Sequence, residues 1–137
     1  MPQITLQGSC LCGAVRYEAS GDPLRFYHCH CGRCRKSSGT GHATNLMLTN
    51  AQLVFRQGES LLKRFKVPEA ELFTRQFCGN CGSAVARFVP EKNAVVIPAG
   101  SLDEAPPIDP QARIFWDSRA AWSCDGDALP RHSEYPS

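Results

Sequence analysis

Seven of the eight cysteines in this sequence stand in three short motifs, and these motifs constrain the fold more than any other feature. The motifs are C-x-C at residues 10–12, C-x-C-x-x-C at residues 29–34 and C-x-x-C at residues 78–81. Cysteines spaced this closely are typical of metal ligands rather than of a disulfide framework. Thiols that stay reduced also remain available as thiolates. The sequence therefore predicts a chain that folds around bound metal.

The two outer motifs supply four sulfurs from distant parts of the chain. In an extended segment alternate side chains point to the same side, so Cys10 and Cys12 can face one ion. In FCGNCG the chain turns, glycine permits the turn, and the sulfurs of Cys78 and Cys81 converge. Four thiolates are a common ligand set of structural zinc, so we predict such a site at these four residues. The alternatives are ordinary buried cysteines or a redox pair at positions 78 and 81.

The middle motif, HCHCGRC, offers one ligand fewer. Cys29 and Cys31 point to one side of an extended segment, and Gly32 lets the chain bend so that Cys34 can join them. Three thiolates without a fourth local ligand match a zinc site that keeps one open position. We therefore predict two zinc ions per chain, the second at these three cysteines. We expect the second ion to be lost more easily, because its sulfurs are fewer and more open to oxidation.

Two remote residues, His42 and Cys124, could close the three-cysteine site instead of leaving it open. Cys124 is also explained as a small buried side chain. His28 and His30 alternate with the cysteines and should point away from them, so we expect these two histidines to pack or to form hydrogen bonds.

A basic cluster follows the middle motif directly and consists of Arg33, Arg35 and Lys36. Cations this close raise the local potential and favour an anionic ligand, so we predict these residues as substrate contacts. The alternative is a solvated surface cluster without a ligand.

The rest of the sequence consists mainly of short runs with β-branched or aromatic residues at alternate positions, separated by glycine and proline. No long apolar stripe with helical spacing is present, and short helices are predicted only near residues 32–39 and 117–122. We predict an all-β fold with short helices, built as a single domain over residues 1–137. The predicted strands cover residues 3–7, 14–19, 43–49, 52–56, 61–66, 71–77, 84–89 and 94–100.

Composition excludes several classes of protein. The 15 basic and 13 acidic side chains give a net charge of only +2, which argues against a bulk attraction to nucleic acid or to an anionic membrane. No run approaches 18 apolar residues, and the opening MPQITLQGSCLCG lacks the basic start and apolar run of a signal peptide. These observations predict a cytoplasmic protein that does not bind membranes.

Taken together, the segments GSCLCGAVRYEASG, HCHCGRCRKSSG, FCGNCGSAVAR and the late W…LPRHSEYP resemble the glutathione-dependent formaldehyde-activating enzyme family, to which centromere-protein-V-like proteins are related. The resemblance runs from about residue 7 to the end. It implies a β-tent fold around zinc, with a structural zinc on the four outer cysteines and an active-site zinc on Cys29, Cys31 and Cys34. Cys124 lies outside the family pattern and is assigned no role.

The resemblance also implies a function. Enzymes of this family join formaldehyde and glutathione into S-hydroxymethylglutathione, as carbon–sulfur lyases acting in reverse. A thiol at the open zinc position would lose its proton, and this role is expected to outweigh polarisation of the aldehyde, because three thiolates blunt the Lewis acidity of the metal. The expected partners are glutathione or another small thiol and a small aldehyde. The alternative is a non-catalytic zinc-containing module that binds glutathione or docks onto protein or nucleic acid.

Overall fold

The strands of this protein form one six-stranded sheet and a separate two-stranded hairpin, and the predicted all-β fold is confirmed. The computed structural model describes residues 3–123 and 128–136. Within them a single α-helix, α1, spans Gly32–Ser38. Short 3-10 turns cover Glu59–Leu61, Pro90–Lys92, Ala99–Ser101 and Trp116–Ser118. The strands are β1 (Ile4–Ser9), β2 (Arg16–Cys29), β3 (Ala43–Gln57), β4 (Leu62–Lys66), β5 (Thr74–Cys78), β6 (Arg87–Val89), β7 (Ala94–Pro98) and β8 (Ala112–Ile114).

The large sheet is organised around the long strands β2 and β3. Its order is β1-β2-β3-β7-β6 with antiparallel neighbours, and β8 pairs in parallel with the last three residues of β2. Strands β4 and β5 form the separate hairpin. In this arrangement Cys29 lies at the end of β2, opposite Ile114 of β8, where the chain turns into α1.

The core lies on one face of the large sheet and follows the strand period. Leu46 and Leu48 of β3 are fully buried, whereas Met47 between them is only partly buried, as the alternation of side chains in a strand requires. Tyr17 is also buried, and its hydroxyl forms a hydrogen bond of 2.7 Å with the Ser101 hydroxyl. Removing these apolar side chains from water is the main force that holds the sheet in place.

Most predicted strands are present, with three differences. One strand was predicted to end at residue 19, but β2 continues to Cys29. The strand tolerates Pro23, which has no N–H group to donate, because the pairing with β3 shifts register on both sides of it. The predicted strands 43–49 and 52–56 are a single strand, in which Asn50 adopts a left-handed conformation with φ of 48°. Strand β8 was not predicted.

Helix α1 confirms the helix predicted near residues 32–39. The second predicted helix, near 117–122, is wrong, since only a 3-10 turn over Trp116–Ser118 forms there. In the part of the chain that the structure describes, no helix has the length and apolar character needed to cross a membrane.

Candidate metal centres and active site

The four outer cysteines meet in one cluster, in which all sulfur atoms lie within 4.8 Å of one another. The sulfur of Cys12 lies 3.6 Å from that of Cys10 and 3.9 Å from that of Cys78. These distances are too long for disulfides, and the cysteines are free. A tetrahedral zinc ion with zinc–sulfur bonds of about 2.3 Å requires sulfurs about 3.8 Å apart. The four-cysteine cluster therefore fits the predicted structural zinc.

Hydrogen-bond donors surround these sulfurs. The backbone N–H of Val15 donates to Cys10 Sγ at 3.2 Å, and that of Asn80 donates to Cys78 Sγ at 3.3 Å. The side-chain amide of Asn80 also donates to Cys12 Sγ at 3.3 Å. Such donors stabilise thiolate over thiol, so the cluster is prepared for the charged form that binds metal.

Glycines with positive φ shape both turns that carry these cysteines. Gly13 has φ of +80° and Gly82 has φ of +79°, which L side chains rarely adopt. Beside Gly82, hydrogen bonds from the hydroxyl and backbone of Ser83 lower the pKa of Cys81 to about 5. Cys81 therefore favours the thiolate form at neutral pH.

The three middle cysteines form a second cluster, with sulfurs again within 4.8 Å of one another. Cys29 ends β2, and Cys31 is the N-cap of α1, where its sulfur accepts a hydrogen bond of 3.3 Å from the N–H of Cys34. Burial raises the pKa of Cys29 and of Cys34. Burial also acts on Cys31, but hydrogen bonds from the Cys34 backbone and the neighbouring sulfurs outweigh it and lower the Cys31 pKa. The ligand types and their spacing fit a three-thiolate metal site.

The second cluster gains no fourth ligand within residues 3–123 and 128–136, because no histidine, carboxylate or further cysteine joins the three sulfurs there. His42 in particular does not belong to this group of ligand atoms. Cys124, the other remote candidate, lies outside the described residues. The open position therefore remains our interpretation of this cluster.

The histidines beside the cysteines form their own contacts, as expected. The Nδ1 atom of His28 lies 2.7 Å from the hydroxyl of Thr44, and the same hydroxyl lies 3.1 Å from Nδ1 of His42. His30 is buried, packs 5.0 Å from the His42 ring and meets the edge of Trp116 at 5.2 Å. Burial and neighbouring positive charge lower the pKa of all three histidines, so they are neutral at pH 7.

A cavity of about 650 Å³ opens beside the three-cysteine cluster. Cys29, Cys34 and His42 lie in its wall. Much of the remaining wall is apolar, with contributions from Met47, Phe73, Val96 and Ile114. A cavity of this size accommodates a small organic ligand.

Three arginines, Arg25, Arg75 and Arg87, also line this cavity, and the sequence analysis did not find them. They are isolated in the sequence and come from three different strands. For Arg87 the sequence did contain an indication. Val85 and Val89 occupy alternate positions and are both buried, so position 87 between them points to the same, inward side.

The predicted cations lie elsewhere. Arg35 and Lys36 line a smaller depression of about 290 Å³ together with Trp122, and this depression shares Thr40 with the large cavity. Arg33 is exposed and lines neither space. The contact of these three residues with substrate stays a prediction.

The fold and the two clusters define an all-β protein with one group of four cysteines and one group of three cysteines, the second beside a cavity. Comparison with known proteins identifies the group: the chain belongs to the glutathione-dependent formaldehyde-activating enzyme family, whose model matches residues 5–118. The resemblance found in the sequence is thereby confirmed, although the late LPRHSEYP segment lies beyond the matched residues.

Two individual proteins illustrate this likeness. A protein of Halomonas elongata, provisionally named a glutathione-dependent formaldehyde-activating enzyme, is 33% identical over 127 residues, covering 85% of this chain and 78% of the relative. A crystal structure of a Rhodobacter sphaeroides protein matches with a TM-score of 0.52 at 20% identity, covering 79% of this chain and 99% of that one. The second comparison supports the fold alone.

Proposed function

We propose that this protein is a zinc-dependent enzyme that joins formaldehyde, or another small aldehyde, to the thiol of glutathione or a related thiol. The product would be S-hydroxymethylglutathione, and the enzyme would be a carbon–sulfur lyase working in the synthetic direction. One observation carries the proposal: Cys29 and Cys34 of the open cluster line a cavity large enough for a small peptide thiol. The family and the name given to the Halomonas elongata relative support the same reaction.

The two cysteine clusters would hold the metal. Cys10, Cys12, Cys78 and Cys81 would bind a structural zinc, and Cys29, Cys31 and Cys34 would bind a second zinc that faces the cavity. When bound there, zinc supplies a positive charge that lowers the pKa of a thiol at its open position.

The charges around the cavity suit a thiol with carboxylates at both ends. In glutathione the thiol is central, and a carboxylate lies at each end of the molecule. Arg87 is half-buried, and burial together with the neighbouring Arg64 lowers its pKa, so an anion at this place would be stabilised. Arg25 lines the same cavity, and within the described residues neither Arg25 nor Arg87 has an acid at ion-pair distance, although the charge of Glu91 acts on Arg87 from farther away. These two arginines would receive one carboxylate.

The other carboxylate would reach the helix cations. Arg35 and Lys36 surround the smaller depression, which meets the large cavity at Thr40. A ligand whose thiol lies beside Cys29 could extend past Thr40 to these two side chains. The basic cluster recognised in the sequence would then act at one end of the ligand, while the cavity arginines act at the other.

The reaction moves one proton. A carbon–sulfur bond forms, the π bond of the aldehyde opens, and the proton that leaves the thiol ends on the new hydroxyl oxygen. His42 lines the cavity and is neutral at pH 7, because burial and the charge of Arg113 lower its pKa. Its Nδ1 atom is hydrogen-bonded to the Thr44 hydroxyl, and with the proton on Nδ1 the Nε2 atom would accept and return a proton.

The test is the rate of adduct formation, measured by NMR with zinc-loaded protein against the spontaneous rate without protein. We expect the wild type to accelerate the addition, and a His42→Asn variant to retain zinc and glutathione binding while losing about 100-fold or more of that acceleration. The proposal is wrong if the wild type binds glutathione in calorimetry but leaves the rate at its spontaneous value. That result would identify the protein as a binding module.

A further inference from the structure

Arg75 of β5 contacts the segments of both cysteine clusters at once. One terminal nitrogen, Nη1, donates a hydrogen bond to the backbone carbonyl of Ser37, and the other, Nη2, donates to the carbonyl of Gly82 at 2.9 Å. Its guanidinium carbon lies 5.7 Å from the centre of the Phe77 ring. A single side chain therefore spans two parts of the chain that are far apart in sequence.

The first of these contacts holds the helix of the three-cysteine cluster. Ser37 lies in the last turn of α1, and its hydroxyl donates to the carbonyl of Cys34 at 3.3 Å. A cation beside carbonyls at the C-terminal end of a helix is stabilised by the helix dipole. A helix of seven residues is also too short to be stable alone and depends on such tertiary contacts.

The second contact holds the turn of the four-cysteine cluster. Gly82 follows Cys81 directly, and its N–H donates to the carbonyl of Cys78 at 2.7 Å. The carbonyl that Arg75 binds is thus part of the C-x-x-C-G turn itself. The planar guanidinium, with its donors in a fixed fork, is suited to hold two carbonyls in one geometry.

The orientation that allows Arg75 to make these two contacts leaves a third donor of its guanidinium group unpaired. Its Nε atom is buried and has no hydrogen-bond partner among residues 3–123 and 128–136. Buried donors are nearly always paired, so an unpaired one indicates that the other contacts of the same group determine its position.

We propose that Arg75 is a positioning residue that fixes helix α1 against the turn of the four-cysteine cluster, so that metal retention at the three-cysteine cluster depends on this link. The inference rests on the metal binding in the proposed function but not on its reaction. Residues that orient metal ligands from outside the ligand set change metal affinity by about 10- to 100-fold when they are lost.

In the test, a coloured chelator competes with the protein for zinc. The titration yields one zinc affinity for the tighter class of site, which we assign to the four-cysteine cluster, and one for the weaker class, which we assign to the three-cysteine cluster. We expect Arg75→Met to weaken the weaker class about 10- to 100-fold and the tighter class by a smaller factor, because four thiolates hold an ion more firmly than three when one outer contact is lost. Arg56→Met is the matched control, because Arg56 forms a surface ion pair with Glu18 and does not line the cavity, and it should leave both classes unchanged.

A second variant covers the case in which Arg75→Met does not fold. Phe77→Leu removes only the ring beneath the guanidinium and should weaken the weaker class in the same direction by a smaller factor. The proposal is overturned if the folded variants keep wild-type affinity at the weaker class, if both classes weaken equally, or if the wild type holds only one zinc. Neither aldehyde nor glutathione enters the measurement, so a missing enzymatic activity would not alter its outcome.

Discussion

The sulfurs of Cys12 and Cys78 lie 3.9 Å apart, although 66 positions separate the two residues in the chain. The contact joins the turn after β1 to the end of β5 and so connects the large sheet with the β4–β5 hairpin. Closing a loop of this length costs chain entropy, and a metal bound here would offset that cost because the site does not exist in the unfolded chain. We therefore regard the four-cysteine cluster as a determinant of the fold.

The buried hydroxyl of Tyr17 predicts a loss of stability at alkaline pH. Burial, together with the negative charge of Asp103, raises the pKa of Tyr17 to about 12, against an ordinary value of 10. The folded state holds the Tyr17 proton more tightly than the unfolded state does. The stability that this proton adds to the fold is therefore complete below pH 10 and is lost as the pH rises towards 12. The free energy of unfolding should fall by about 2 to 3 kcal/mol over this window. Urea denaturation at a series of pH values measures this free energy of unfolding. A Tyr17→Phe variant should lack this part of the decline with pH, and an identical decline in both proteins would contradict the role of the Tyr17 hydroxyl.

The two clusters should lose zinc in a fixed order. Three thiolates hold metal less firmly than four, so the three-cysteine cluster should release its metal first and its uncovered sulfurs should then react with peroxide, although Cys29 and Cys34 are buried and Cys12 is exposed. Under limiting peroxide, mass spectrometry should find oxidation at Cys29, Cys31 or Cys34 before the four outer cysteines, together with release of about one zinc per chain. Earlier oxidation of the outer cysteines would refute the assignment of the open site.

Arg87 should recognise a carboxylate of the thiol substrate. An Arg87→Met variant should raise the KM for glutathione about tenfold, since a charge-assisted hydrogen bond contributes about 1.5 kcal/mol. The KM for uncharged 2-mercaptoethanol should not change. Arg56→Met is the matched control, because Arg56 forms a surface ion pair with Glu18 and does not line the cavity. An equal effect of Arg87→Met on both thiols would indicate a change in cavity shape rather than carboxylate recognition.

The helix cations should contribute at the other end of the ligand. Reversing the charge of Arg33, Arg35 and Lys36 together should weaken glutathione binding, measured by titration calorimetry with zinc-loaded protein. Single reversals should show a smaller effect for Arg33, which lines neither space. Unchanged affinity in the triple variant would rule out these residues as substrate contacts.

The cysteine clusters could be found from the sequence because each motif carries its own geometry. Alternation in a strand and a glycine turn bring Cys10 near Cys12 and Cys78 near Cys81 without knowledge of the rest of the fold. The cavity could not be found in this way. Arg25, Arg75 and Arg87 come from three strands whose relation depends on sheet order and register, and no local motif contains them.

Strand β8 shows the same limit. Its three residues carry little intrinsic preference, and the strand exists because residues 112–114 pair in parallel with the end of β2. Cys29 of β2 pairs with Ile114 of β8. Part of the surroundings of Cys29 therefore comes from a segment that was not predicted as a strand from the sequence. The formation of β8 depends on long-range pairing with β2, whereas most of the other strands could be located from their side-chain pattern.

In the proposed function one cluster is a closed structural site and the other is an open site. The most direct measurement is the zinc content per chain, together with circular dichroism, of the wild type, a Cys31→Ser variant and a Cys81→Ser variant. We predict about two zinc ions for the wild type, about one zinc with an intact fold for Cys31→Ser, and loss of the fold for Cys81→Ser. If Cys31→Ser unfolds as Cys81→Ser does, both sites are structural and the account of an open thiol site is wrong.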